Sequence, residues 1–217
     1  MASRLLTIVL LLALGAGALV VTPRLKNYSL PGNQQGYEPV QPIAFSHRQH
    51  AGDLQISCLY CHFGAEKSQH AGIPASRLCM NCHRFVTASW DVTFQEYLEA
   101  LRTNQTPRRE VSAELKKLYD SLGLDKQLEP DHGRQREPIA WVKVHNLPAY
   151  ACFNHRAHIH AGVTCQHCHG RVETMDRVRQ VEDLSMAWCV DCHREPALAE
   201  SVRPQVQPST DCAVCHH

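Results

Sequence analysis

The apolar positions of this chain are distributed unevenly, and each region predicts a different element. Leu5 to Val21 is an uncharged run of seventeen residues, closed by Pro23 and followed by Arg24 and Lys26. At about 1.5 Å per residue it can just span a hydrocarbon core of about 30 Å, so it predicts one N-terminal transmembrane helix. A cleaved signal peptide competes with that retained anchor, because Ala16-Gly17-Ala18 resembles a cleavage site. No cysteine lies near the run, which excludes a lipoprotein anchor.

Helical periodicity returns only between the two cysteine-rich halves. Thr93 and Glu96 form a capping box for a helix through Phe94, Tyr97, Leu98 and Leu101. Val111, Leu115, Leu118, Tyr119 and Leu122 recur at the spacing of a second helix, and Gly123 suits its C-terminal end. These apolar stripes are packing faces. Pro130, Gly133 and Pro138 then predict a returning loop. The fold class expected is mainly α and irregular, with little regular sheet.

Outside these stretches the pattern is a repeat. Phe45-Ser46-His47-Arg48-Gln49-His50 leads to Cys58, and Phe153-Asn154-His155-Arg156-Ala157-His158 leads to Cys165. A second cysteine pair follows each. From first histidine to last, the interval is 36 positions in one half (His47 to His83) and 38 in the other (His155 to His193). This spacing predicts a duplicated module with a segment appended at the C-terminus. The expected division is an anchor at 1–23, a first module at 24–90, a helical insert at 91–140, a second module at 141–196 and a final segment at 197–217.

Cysteine usage supplies the chemistry. Of 11 cysteines, ten form five pairs separated by two residues: Cys58 and Cys61, Cys79 and Cys82, Cys165 and Cys168, Cys189 and Cys192, Cys212 and Cys215. Each pair is followed at once by a histidine, namely His62, His83, His169, His193 and His216. With 15 histidines in 217 residues, that coincidence has odds of roughly one in a million. Zinc ribbons share the paired cysteines but have no need of the trailing histidine. Covalent c-type haem attachment needs all of it: two thiols add to the vinyl groups, and the adjacent imidazole becomes the proximal ligand. Five motifs predict five covalently bound haem c groups.

Only 5 Phe, 6 Tyr and 3 Trp serve the whole chain, too few for a conventional core. The porphyrins are therefore expected to pack the core, and folding is expected to depend on their attachment. The formal charge of +1 becomes strongly negative once five haems add roughly ten propionate charges. Without a basic run or interleaved aromatic patch, no nucleic-acid partner is expected. Haem of this type is attached on the outer side of the cytoplasmic membrane. The expected location is thus the bacterial inner membrane, single-pass, with the haem domain in the periplasm.

Low-spin iron also needs a distal ligand, His or Met. His47, His50, His155 and His158 are the leading candidates, since each pair stands just upstream of a motif. His145 is the choice for the fifth place, with His70, His160 and Met175 as rivals. A strand histidine bonded to a backbone carbonyl is the alternative role for His145. Met186 lies on the proximal side of its own haem, so it could serve only a neighbouring one. His167 and His217 are expected to contact solvent or propionate, and Cys152 to be a small buried apolar residue. The fifth motif, one residue from the C-terminus, is expected at an end of the haem series.

These residues resemble the membrane-anchored pentahaem cytochrome c subunit of alternative complex III, a bacterial quinol:electron acceptor oxidoreductase. The resemblance extends over nearly the whole chain. It rests on the N-terminal run, Cys58-Leu59-Tyr60-Cys61-His62, and Ala71-Gly72-Ile73-Pro74 leading to Cys79-Met80-Asn81-Cys82-His83. It continues through Val144-His145, Leu147-Pro148, Phe153-Asn154-His155 with His158, and Glu173-Thr174-Met175 leading to Met186-Ala187-Trp188-Cys189. The paired-histidine modules are also similar to small class III cytochromes. Cys152 departs from the aliphatic or aromatic residue expected there, without bearing on function.

The resemblance implies an electron-transfer subunit, not an enzyme by itself. Its partners would be an iron–sulfur subunit, polytopic quinol-binding subunits and a monohaem cytochrome c, and its electrons would pass towards a cytochrome c or terminal oxidase. A stand-alone membrane-anchored quinol dehydrogenase or a periplasmic multihaem shuttle is the nearer alternative. A multihaem nitrite reductase is disfavoured, because its catalytic motif ends in lysine and all five here end in histidine.

Overall fold

The computed structural model describes residues 34–195 and 205–217, with isolated positions 4, 6, 7, 10, 11, 14–17, 197, 202 and 203. Among the described residues the chain is helical and irregular, and its sole pairing of extended backbone is an isolated bridge between Leu124 and Pro130.

A π-helical turn at Arg48–Asp53 comes first. The helices follow as α1 (Cys58–Cys61), α2 (Ser76–His83), α3 (Trp90–Thr103), α4 (Ala113–Ser121), α5 (His155–Ala161) and α6 (Cys165–His169). A 3-10 turn at Val172–Thr174 precedes α7 (Met186–Arg194) and α8 (Cys212–Cys215).

The expectation of an N-terminal transmembrane helix is corrected. No helix among the described residues is long and apolar enough to cross a membrane. Positions described between Arg4 and Gly17 are helical, while the rest of the apolar run lies outside the described residues. At about 1.5 Å per residue the run was already short for a span.

The insert supports the second motif. In α4, Ser112 caps the first turn by accepting from the Leu115 amide at 3.3 Å, and Leu118 and Tyr119 are buried. Gly123 follows the helix at φ +65°, a conformation other residues adopt only with strain. The Tyr119 hydroxyl donates to the His83 carbonyl at 2.6 Å. The insert thereby holds the end of α2.

Helix α3 departs from its expected start. It begins at Trp90, a turn before the Thr93 to Glu96 box, and Thr93 bonds back to the Ser89 and Trp90 carbonyls. Glu96 is instead held by Arg108, through both guanidinium nitrogens at 3.0 and 2.9 Å and the backbone amide at 3.0 Å. Those bonds pull its pKa down to about 2. A carboxylate depressed in the folded state stabilises above the unfolded value near 4.5 and loses that effect as pH falls towards 2. Urea unfolding of the holoprotein should therefore show Glu96→Gln weakening less than the parent between those pH limits. The difference should be small, because the Arg108 side is 76% exposed.

The apolar interior made by protein atoms is slight. Among the described residues, Ala65, Ala100, Leu118, Tyr119 and Val144 are the buried hydrophobic ones. Tyr60, Phe63, Phe85, Trp90 and Met186 present 46 to 79% of their surface. Most of these large side chains stand in or beside the cysteine motifs.

Candidate functional site

The cysteine pairs sit on two kinds of helix. In each half, the first motif opens a short helix, at Cys58 in α1 and Cys165 in α6. The second motif enters on the fourth residue of a longer one, Cys79 in α2 and Cys189 in α7. The fifth pair spans α8, where Asp211 caps the Ala213 amide at 2.9 Å.

The upstream histidines repeat with similar closeness. Phe45 meets His47 edge-on at 4.9 Å and stacks on His50 at 4.3 Å; Phe153 meets His155 at 4.8 Å and His158 at 4.3 Å. The backbones differ, π-helical around His50 and α-helical around His158. Even so, each of these two rings bonds through Nδ1 to the carbonyl four residues back, Ser46 and Asn154, at 2.8 Å.

Such bonds fix which ring nitrogen is left for a metal. Among the histidines that close the motifs, Nδ1 of His62 bonds Gly72 O at 2.7 Å, His83 bonds Val86 O at 2.9 Å, His193 bonds Ser209 O at 2.6 Å and His216 bonds Tyr150 O at 3.1 Å. His155 bonds Gln69 O at 2.9 Å. A backbone carbonyl accepts only from a protonated nitrogen, so Nε2 carries the free lone pair in each. Gly72 reaches its position at φ +75°, and it stands in the Ala71 to Pro74 stretch noted in the sequence. The other acceptors are backbone groups whose role no side-chain pattern announces.

Ring spacing provides the fit to haem. Two imidazoles bound at about 2 Å on opposite sides of one metal hold their centroids about 6 Å apart. His50 and His83 stand at 6.1 Å, His158 and His193 at 5.9 Å, and His155 and His169 at 6.4 Å with planes 7° apart. His47 lies near His62: burial first, then His62 and His50, lower its pKa to about 4. Its Nδ1 is buried without a partner among the described residues. His169 is pushed down to about 3 by burial and then by His145, His155 and His62. Neutral imidazole is the ligand form.

His145 lies beside the third motif: its Nε2 is 3.2 Å from Nδ1 of His169, with the rings edge to face at 4.3 Å. Met175 joins the 3-10 turn to the π turn, its carbonyl accepting from the Arg48 amide at 2.9 Å. Met186 is 65% exposed. His167 stacks on Trp188 at 6.0 Å, His160 bonds Glu66 O at 3.3 Å, and His70 takes a backbone bond to the Ser68 hydroxyl at 3.2 Å. Cys152, expected to be buried, is half-buried, with its thiol donating to the His217 carbonyl at 3.7 Å.

Contacts between motifs give an order in space. Asn81 in the second motif bonds the Tyr60 hydroxyl of the first at 2.9 Å, and Cys61 helps burial raise the Cys79 pKa. Cys165 of the third lies near Cys58 of the first, which adds to burial in raising its pKa. His167 and Trp188 join the third to the fourth, where burial and then Cys192 and Cys189 push Cys168 up to about 12. The fourth meets the fifth through His193 and Ser209, and Cys215 adds to burial in raising Cys189. The order is second, first, third, fourth, fifth. No group of three or more His, Cys, Asp or Glu converges as a metal-ion site among the described residues, so the cysteine pairs do not meet there as a zinc ribbon's would.

Comparison with known proteins matches part of this picture. Over 49 residues the chain is 41% identical to the menaquinone reductase multihaem cytochrome c subunit of Nitratidesulfovibrio vulgaris (strain Hildenborough). The match supports a multihaem cytochrome c. It covers 23% of this chain and 23% of that protein. No family model matches.

Proposed function

We propose that this chain is the electron-transfer subunit of a respiratory complex that exchanges electrons with the membrane quinone pool, carrying five covalent haem c groups in series. The observation that carries it is the placement of the five motifs, each with its histidine held through Nδ1 and three of them facing an upstream histidine at about the spacing of two ligands on one iron. Bound haem would supply a one-electron iron couple. The five cysteine pairs, from Cys58 and Cys61 to Cys212 and Cys215, would provide the ten thioether links. His62, His83, His169, His193 and His216 would be proximal ligands, with distal His47 for the first, His50 for the second, His155 for the third and His158 for the fourth.

Ligation on both faces of the first four haems would leave no open position there for a substrate, which favours relay over catalysis. The order of contacts puts the second and fifth motifs at the two ends. Haem attachment places the body on the periplasmic side of the inner membrane. The resemblance described above supports neighbours of the iron–sulfur, polytopic quinol-binding and monohaem cytochrome types, and electrons leaving towards a cytochrome c or oxidase.

The relative's name favours a second direction, from this subunit towards menaquinone. One experiment separates the two. The tagged protein, extracted from native membranes in mild detergent, should bring stoichiometric partners, and menaquinol should reduce its haems within the turnover time of the complex. If the prereduced complex instead reduces menaquinone and menaquinol leaves the haems oxidised, the flow is reversed. A protein that runs alone and exchanges electrons with neither form overturns the complex-subunit reading.

A further inference from the structure

We propose that His145 is a positioning residue for the third motif: it accepts a hydrogen bond from His169 and thereby orients that imidazole and makes it a stronger ligand than the other four proximal histidines. The inference rests on the haem reading above, but it concerns a residue which that reading leaves without a task.

The distinction lies in the acceptors. Four proximal histidines give their Nδ1 proton to backbone carbonyls, of Gly72, Val86, Ser209 and Tyr150. His169 alone turns Nδ1 towards a side chain, Nε2 of His145 at 3.2 Å. Its other face is already committed, because His155 lies parallel to it at 6.4 Å, and the Nδ1 of His155 is fixed by Gln69. One nitrogen of His169 is left for iron and one for His145.

The backbone that presents His145 is fixed too. Gln41 clamps Val142 in both directions, accepting from its amide and donating to its carbonyl, each at 2.9 Å, and Val144 is buried. The two rings meet edge to face at 83°, with Nε2 of His145 3.2 Å from Nδ1 of His169. An imidazole nitrogen is a more basic acceptor than an amide carbonyl. It draws the Nδ1 proton further, gives His169 more imidazolate character, and so favours oxidised iron over reduced.

The test uses the purified holoprotein, with spectroelectrochemical titration and electron paramagnetic resonance. In His145→Leu, five haems should remain attached, each in the spin state of the parent, with one of the five potentials raised. His145→Gln restores a carbonyl acceptor and should bring that potential part of the way back. A new high-spin signal in either variant would make His145 an iron ligand and overturn the proposal. Five unchanged potentials would also overturn it. If His145→Leu does not mature, His145→Gln decides alone, because exchanging a basic nitrogen for a carbonyl must still move one potential upward. Loss of the quinone reading, judged by partners and quinol exchange, would leave these measurements unaffected.

Discussion

Denatured holoprotein should carry five covalent haems, and changing both cysteines of any one motif to serine should leave four. Thioether attachment needs the complete motif, and the five motifs lie on separate helical turns, so a lesion in one leaves the attachment chemistry of the others intact. Intact-mass spectrometry reads the count directly. The largest secondary effect belongs to Cys165→Ser with Cys168→Ser, because α6 packs against the first motif through Cys58 and against the fourth through His167 and Trp188. That variant should also lose folding yield. A parent mass with fewer than five haems, or with bound zinc, would sink the central claim.

Replacing His158 with Ala should convert one haem from low to high spin without detaching it. The ring of His158 faces His193 at 5.9 Å, whereas the thioether bonds of that haem would come from Cys189 and Cys192 on α7. Ligation and attachment are therefore separable. His155→Ala should do the same to the haem of His169. Electron paramagnetic resonance of each variant should show one altered signal and four retained. Low-spin spectra unchanged in both would mean that the paired upstream histidines are not ligands.

Much of this site is legible in the sequence because its rules are local. The cysteine spacing, the trailing histidine and the repeated Phe-x-His-x-x-His segments each lie within a few residues, and the twin aromatic stacks around Phe45 and Phe153 follow from that spacing. Helix α4 is legible for the same reason, from the spacing of Leu115, Leu118 and Tyr119 and from Gly123 after it.

Long-range pairing is what the sequence hides. Thr93 and Glu96 have the form of a capping box, but Arg108 twelve positions on offers Glu96 three bonds, and Ser89 already starts the helix a turn earlier. His145 has the flanks of a ligand, yet its neighbour is chosen by the Gln41 clamp a hundred residues away. The order of the motifs is not the order of the chain, because Cys58 meets Cys165 across the whole insert. The N-terminal run fits the threshold for a span by composition, but length is a geometric demand, and no described helix meets it.

An unbranched row of five sites has a particular weakness to damage. Among the described residues each interior motif touches one neighbour on either side, so five haems held there would act as resistors in series. Fault tolerance then depends on position: a lesion at the second or fifth motif shortens the circuit from one terminal, while a lesion at the first, third or fourth opens it. Selection should accordingly fall hardest on contacts that no single motif owns, such as Asn81 with Tyr60 and His193 with Ser209.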